Sequence, residues 1–185
     1  MLIAQIVFDR FTDIDVFLAW DLLHRVRRPD WTVKLLGTEA HHTSRSGLTI
    51  PMHGRVEEAG LADAVLFASG PATRELRFDR DYLARFTLDP KRQLIGSMCS
   101  GALLLAALGL LEGKRATTYP TAVQLLRDAG VEVVDEPFVR EGNIATAAAC
   151  LAGVDLAGWV IETFLGKGAR DAALAEVRPA GRGPG

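Results

Sequence analysis

Gln93-Leu94-Ile95-Gly96-Ser97-Met98-Cys99-Ser100-Gly101-Ala102-Leu103-Leu104-Leu105-Ala106-Ala107-Leu108 is the stretch on which the reading of this chain turns. Gln93-Leu94-Ile95 reads as the end of a short buried strand. The run from Ala102 holds small and long apolar residues with no β-branched member, which reads as a buried helix. A cysteine is thus squeezed into a strand-to-helix turn, with Ser97 two positions before it and Gly101 two after. This is the cysteine counterpart of the G-x-S-x-G nucleophile elbow, Ser97 standing for the first glycine, and the turn is too sharp for larger flanks. The pattern puts the thiol at a helix N-terminus, where unpaired N–H groups favour thiolate over thiol. The alternative is a structural cysteine, since free Cys is among the most buried residue types.

Working outward, 185 residues with 49% apolar side chains suffice for one domain with a substantial core. Residues 1–177 read as that domain, and 178–185, rich in Pro and Gly, as a flexible tail. The formal charge of −2 gives no electrostatic case for nucleic acid or an acidic membrane. No apolar run reaches the ~18 residues of a membrane span. Met1-Leu2-Ile3-Ala4-Gln5-Ile6-Val7-Phe8 lacks the basic start of a secretory leader and reads as a first strand. Two cysteines far apart imply reduced thiols and a cytoplasmic home. Neither has a C-x-x-C partner and no His/Cys cluster has ligand spacing, so no metal or other cofactor is expected.

Strand-like and helix-like segments alternate along the chain. Strands are predicted at 3–8, 31–36, 64–67, through Ile95, at 116–118, 131–134, 138–140 and 144–146. Residues 48–55 look like a short hairpin or excursion. Helices are predicted at 14–26, 79–87 with Asp79 as N-cap, from Ala102, at 121–128 after Pro120, and at 151–165 up to Gly166. Such alternation argues for a parallel sheet covered by helices on both faces, with ligands beyond the carboxyl ends of its strands. Three loops are then candidates: 9–15, 69–73 and 98–100.

A thiolate nucleophile needs a proton carrier and donors for developing charge. The first loop offers Asp15, which reads either as a proton shuttle or as part of a helix-capping Thr12-Asp13-Ile14-Asp15 sequence. Ser69-Gly70-Pro71 is a turn whose Gly70 amide, with that of Ser100, can form an oxyanion-type pair, since glycine permits close backbone approach. His24 reads as solvated surface, His41, His42 and His53 lie in the polar excursion, and none follows the elbow. Cys150, opening an apolar helix, reads as packing. Tyr119 reads as lining the pocket or packing its ring.

Taken together, these residues resemble the ThiJ/PfpI superfamily, from about Ile3 to Leu165. The resemblance is carried by Asp15 and Asp21, by Ser97-Met98-Cys99-Ser100-Gly101, by Leu110-Leu111-Glu112-Gly113-Lys114-Arg115-Ala116-Thr117-Thr118, and by Arg140-Glu141-Gly142-Asn143-Ile144-Ala145-Thr146. It implies a flavodoxin-like three-layer α/β sandwich of the class I glutamine amidotransferase-like kind and, commonly, a homodimer. Within that group the chain looks most like isocyanide (isonitrile) hydratases and the ligand-binding domains of AraC-type regulators. The resemblance assigns the elbow cysteine to Cys99, the first-loop aspartate to Asp15, and substrate orientation to Gly70 and Ser100. Three departures stand out: Ser69-Gly70 for Gly-Gly, Tyr119 where a histidine often stands, and Ala147-Ala148-Ala149 for a Gly-rich run.

The leading expectation is a cysteine-dependent hydratase or hydrolase of a small apolar electrophile, an isocyanide being the named candidate. A glyoxalase- or deglycase-like enzyme is the second reading, weakened by Tyr119. A redox-sensing or ligand-binding protein with little turnover is the third, since a thiol under amide donors would also stabilise a sulfinate.

Overall fold

Runs that are apolar at every position are stable only where both faces are covered, and Ala64-Val65-Leu66-Phe67 at the centre of this sheet is such a run. The computed structural model describes residues 1–177; the tail 178–185 lies outside the described residues. In chain order it runs β1 (Leu2–Ile6), α1 (Asp13–His24), β2 (Thr32–Gly37), β3 (His41–Thr43), β4 (Thr49–Pro51) and β5 (Gly54–Arg55). A 3-10 segment (Val56–Leu61) leads to β6 (Ala64–Phe67), α2 (Thr73–Leu76), α3 (Arg80–Leu83) and β7 (Leu94–Met98). After a 3-10 turn (Cys99–Gly101) come α4 (Ala102–Ala107), β8 (Arg115–Ala116) and, past a second 3-10 turn, α5 (Val123–Asp128). β9 (Glu132–Val133), β10 (Phe138–Glu141), β11 (Ile144–Ala147), a 3-10 turn (Cys150–Ala152), α6 (Gly153–Leu165) and α7 (Lys167–Ala175) complete it.

The main sheet has the order β10-β11-β7-β6-β1-β2-β5. Its pairings are parallel except for β10 with β11. Alternate residues of one strand feed different layers, as the two-residue side-chain period demands. Val65 and Phe67 join the core under α4, with Leu103 and Leu104. Ala64 and Leu66 join the core under α1 and α6, with Leu22, Leu156 and Val160. The result is the expected three-layer α/β sandwich.

Some boundaries differ from those predicted. β7 continues through Gly96 and Ser97 to Met98, because small residues there pair with Leu66 and Phe67 on one side and Ala145 and Thr146 on the other. The helix expected at 79–87 contracts to α3. Asp79 caps it by accepting from the Tyr82 amide at 2.9 Å, but residues 84–86 close as isolated turns that swing Phe86 against Phe67 and Tyr82. The short helix α7 goes unannounced in the sequence because only Ala173 and Leu174 are buried on it. Among the described residues, no helix is long and apolar enough to cross a membrane.

Candidate active site

The strand order starts on β1, moves to β2 on one side, and returns to β6 and β7 on the other. Loops leaving the carboxyl ends of β1 and β6 therefore part in opposite directions and open a crevice between them. Asp15 enters from the β1 side, Ser69 and Gly70 from β6, and Cys99 from β7. Two backbone contacts seam these loops together. The Thr12 amide donates to the Ser69 carbonyl at 2.8 Å. A Cβ on Gly70 would lie 2.3 Å from the Arg10 carbonyl oxygen, so only glycine fits that approach.

Cys99 has φ +45°, in the left-handed region that a side chain rarely occupies. This is the strained turn that the elbow pattern implies. Two contacts hold it. A Cβ on Gly101 would stand 2.6 Å from the Ala68 carbonyl oxygen, so a bare residue lets the turn press against the β6 loop. Thr118 Oγ1 donates to the Cys99 carbonyl at 2.8 Å, while the neighbouring Thr117 amide donates to Thr146 Oγ1 at 2.9 Å. The Thr117-Thr118 pair was legible in the sequence only as part of a family segment; its role as a clamp on the elbow was not.

Asp15 lies in the first turn of α1 and is 1% exposed. Thr12 makes no side-chain capping bond. The Asp15 carboxylate instead turns inward, where Oδ2 accepts a hydrogen bond from the Ser69 hydroxyl. Its Oδ1 is buried without a hydrogen-bond partner among the described residues. The departure Ser69 thus acquires a purpose, fixing the carboxylate. Ser100 Oγ is bound in turn by Thr73 Oγ1 at 3.1 Å and by the Gly70 amide at 3.3 Å. The expectation of two bare amides is corrected here, since the Gly70 N–H is turned to the Ser100 hydroxyl.

A second correction concerns Cys150. It does not pack into the core but lies beside the elbow, its Sγ 3.9 Å from that of Cys99. The reason is topological. β10 runs antiparallel to β11, so β11 runs parallel to β7 and releases its carboxyl end at the same edge of the sheet. A fourth loop thereby joins the three anticipated, and ligand spacing along the chain could not reveal it. The Asp15 carboxylate and both sulfurs lie within 4.8 Å of one another.

Electrostatics overturn a third expectation. Burial, followed by the Asp15 carboxylate and by Cys150, pushes the Cys99 thiol well above its ordinary value. Burial and then Asp15 also push the Cys150 thiol up. Burial, with the charge beside the elbow, outweighs the favourable turn and favours the thiol form of Cys99.

These groups line a cavity of about 340 Å³ that also meets Thr12, Arg45, Pro71, Arg74, Tyr119 and Thr121. Tyr119 is among the residues that line it. No histidine does: His42 is buried in the β3–β4 hairpin, 3.2 Å from Asp9, and His53 stacks on Trp20. His24 packs on the same indole, its ring 4.0 Å from that of Trp20. The wall is not uniformly apolar either, since Arg45 and Arg74 contribute to it.

With this arrangement established, the sequence matches the DJ-1/PfpI family over residues 1–163. The chain belongs to the DJ-1/PfpI family. Among curated relatives, it is 29% identical over 166 residues to an isonitrile hydratase of Pseudomonas putida, spanning 89% of this chain and 72% of that protein. A deglycase of Pyrococcus abyssi is 25% identical over 139 residues, spanning 73% of this chain and 82% of the relative. Among solved structures, a ThiJ/PfpI family protein from Pseudomonas syringae superposes with a TM-score of 0.87 at 22% identity, covering 99% of this chain and 76% of that one. At that identity the likeness speaks for the DJ-1/PfpI fold, and chemistry rests on the site.

Proposed function

We propose that this DJ-1/PfpI protein hydrates a small isocyanide to an N-substituted formamide, with Cys99 as nucleophile and Asp15 as proton carrier. The observation that carries the reading is the pairing of a raised, buried thiol with a carboxylate that has one free oxygen and no histidine beside it. An isocyanide carbon accepts both a nucleophile and a proton, so a carboxylate that takes a thiol proton and hands it on is sufficient machinery. The 29% identity to an isonitrile hydratase supports the same assignment.

In the first step the Cys99 S–H proton passes to Asp15 as sulfur bonds to the isocyanide carbon. Asp15 then delivers that proton to the same carbon, leaving a thioimidate. In the second step Asp15 takes a proton from water as the oxygen adds to the thioimidate carbon, and the nitrogen receives that proton. The C–S bond breaks, the hydroxyl proton returns to sulfur, and the formamide leaves. One isocyanide and one water are consumed and no oxidant is needed. Ser69 aims Asp15, and Ser100 with Gly70 borders the reacting carbon.

The test is formamide release from an alkyl isocyanide by wild type, Cys99→Ala and Asp15→Asn. Both variants are expected to lose at least about a hundredfold in kcat, the usual scale of acid–base contributions. Turnover that survives either change removes the mechanism. The deglycase reading is favoured by the Pyrococcus relative. Conversion of methylglyoxal to lactate with no isocyanide turnover would put it first.

A further inference from the structure

Cys150 does nothing in the hydration scheme, yet the fold delivers its sulfur to the reacting thiol and carboxylate. We propose that Asp15, Cys99 and Cys150 bind one soft divalent cation, with Zn²⁺ the best fit, as a three-ligand site whose fourth position faces the cavity. Tetrahedral zinc with Zn–S bonds of about 2.3 Å holds its two sulfurs about 3.8 Å apart. The observed separation is 3.9 Å. The sulfurs therefore already stand at the spacing of a shared cation. A disulfide requires a far shorter separation of about 2.05 Å.

The carboxylate supplies the second, independent observation. Asp15 is fully enclosed, yet Oδ1 has no hydrogen-bond partner among the described residues, and the carboxylate lies within 4.8 Å of both sulfurs. A buried carboxylate oxygen whose neighbours are only weak S–H donors is costly unless something positive meets it. Its other oxygen is already fixed by Ser69, the outer-shell support that metal-bound carboxylates ordinarily have. The Asp15 carboxylate beside both sulfurs gives the cluster the negative charge that draws a cation.

Binding is written without any change of oxidation state. One proton leaves each thiol for solvent, and two S–Zn bonds and one O–Zn bond form. In the loaded site each sulfur shares one lone pair with the metal and the cation withdraws charge from the rest, so Zn²⁺ reversibly weakens the nucleophile. Two thiols and one carboxylate select zinc or cadmium over magnesium or calcium, which take oxygen ligands.

The test uses the reduced full-length chain under argon. Cd²⁺ is titrated while thiolate-to-metal charge-transfer absorption is followed, and Zn²⁺ is titrated by calorimetry at two pH values. One metal per chain and release of about two protons per metal at both pH values are expected. Cys150→Val, with folding checked by circular dichroism, should weaken binding at least about a hundredfold, and Asp15→Asn about tenfold or more. One equivalent of Zn²⁺ should also slow iodoacetamide capture of both wild-type thiols at least about tenfold. Binding that survives Cys150→Val, the absence of a one-equivalent endpoint, or unprotected thiols each overturns the site. No isocyanide enters the experiment, so its failure and that of the hydration reading are separate results.

Discussion

Asp15→Asn separates the two effects that this carboxylate has on Cys99. Its charge opposes the thiolate, and its basicity carries the thiol proton. The carboxylate and the Cys99 sulfur lie within 4.8 Å of one another. Two unit charges at that distance repel by about 3.5 kcal/mol at an effective dielectric of ~20, or about 300-fold in thiolate fraction. Asn has nearly the same shape and keeps an oxygen that can accept from Ser69. The variant should therefore alkylate faster than wild type with iodoacetamide at pH 8, by about two orders of magnitude once that repulsion is gone. Hydration of an isocyanide should nevertheless fall at least about a hundredfold, because no group remains to deliver the proton. The assay is peptide mass spectrometry of Cys99 alkylation against time, run beside formamide release on the same preparation. Alkylation equal to or slower than wild type would refute the electrostatic reasoning, since the carboxylate would then not be what holds the thiol protonated.

Four other outcomes are expected. Tyr82 is buried, with a hydroxyl that lacks a partner among the described residues; Tyr82→Phe should stabilise by about 1 kcal/mol and raise Tm by roughly 2–4 °C, and a lower Tm in a thermal scan would contradict this. Gly101→Ala forces a methyl to 2.6 Å from the Ala68 carbonyl, so urea unfolding should show a loss of about 3 kcal/mol or an insoluble chain, and a neutral result would disprove the close contact. Ser69→Ala frees the Asp15 carboxylate and should lower kcat about tenfold with little change in KM, the pattern of a lost positioning contact; a change in KM alone would assign Ser69 to binding. Burial raises both Cys99 and Tyr82, so the folded state holds their protons more tightly than the unfolded state; their contribution is full below the ordinary values of 9.0 and 10.0 and is lost as pH rises beyond them. Urea midpoints should accordingly decline from pH 8 to 11, less steeply in Tyr82→Phe.

The architecture was legible because its signals are local. Ala64-Val65-Leu66-Phe67 announces a buried strand by itself, and Cys99 between Ser97 and Gly101 announces the turn that follows β7. Asp15 and Gly70 could be placed because loops after parallel strands share an edge, whereas Tyr119 follows β8, which lies outside the main sheet. What escaped depends on contacts between distant segments. Ser69 looked like a substitution until its hydroxyl was seen on Asp15. Cys150 looked like a packing residue because its place depends on β10 turning back, a geometric fact with no motif. The turn's own electrostatics point to a thiolate at Cys99, but the burial of the sulfur and the carboxylate that faces it come from distant segments and push the thiol the other way.

The reversed pairing of β10 and β11 has a consequence for how this scaffold can change. The turn Glu141-Gly142-Asn143 sits at the rim opposite the elbow, and Gly142 has φ +67°. A one-residue insertion there would be taken up by the edge strand β10, because β11 is held in register by β7 on its other side. Cys150 follows β11 and would keep its place beside the elbow. The second sulfur is thus anchored to the interior of the sheet, and the outer bend can be edited without disturbing the two-sulfur centre.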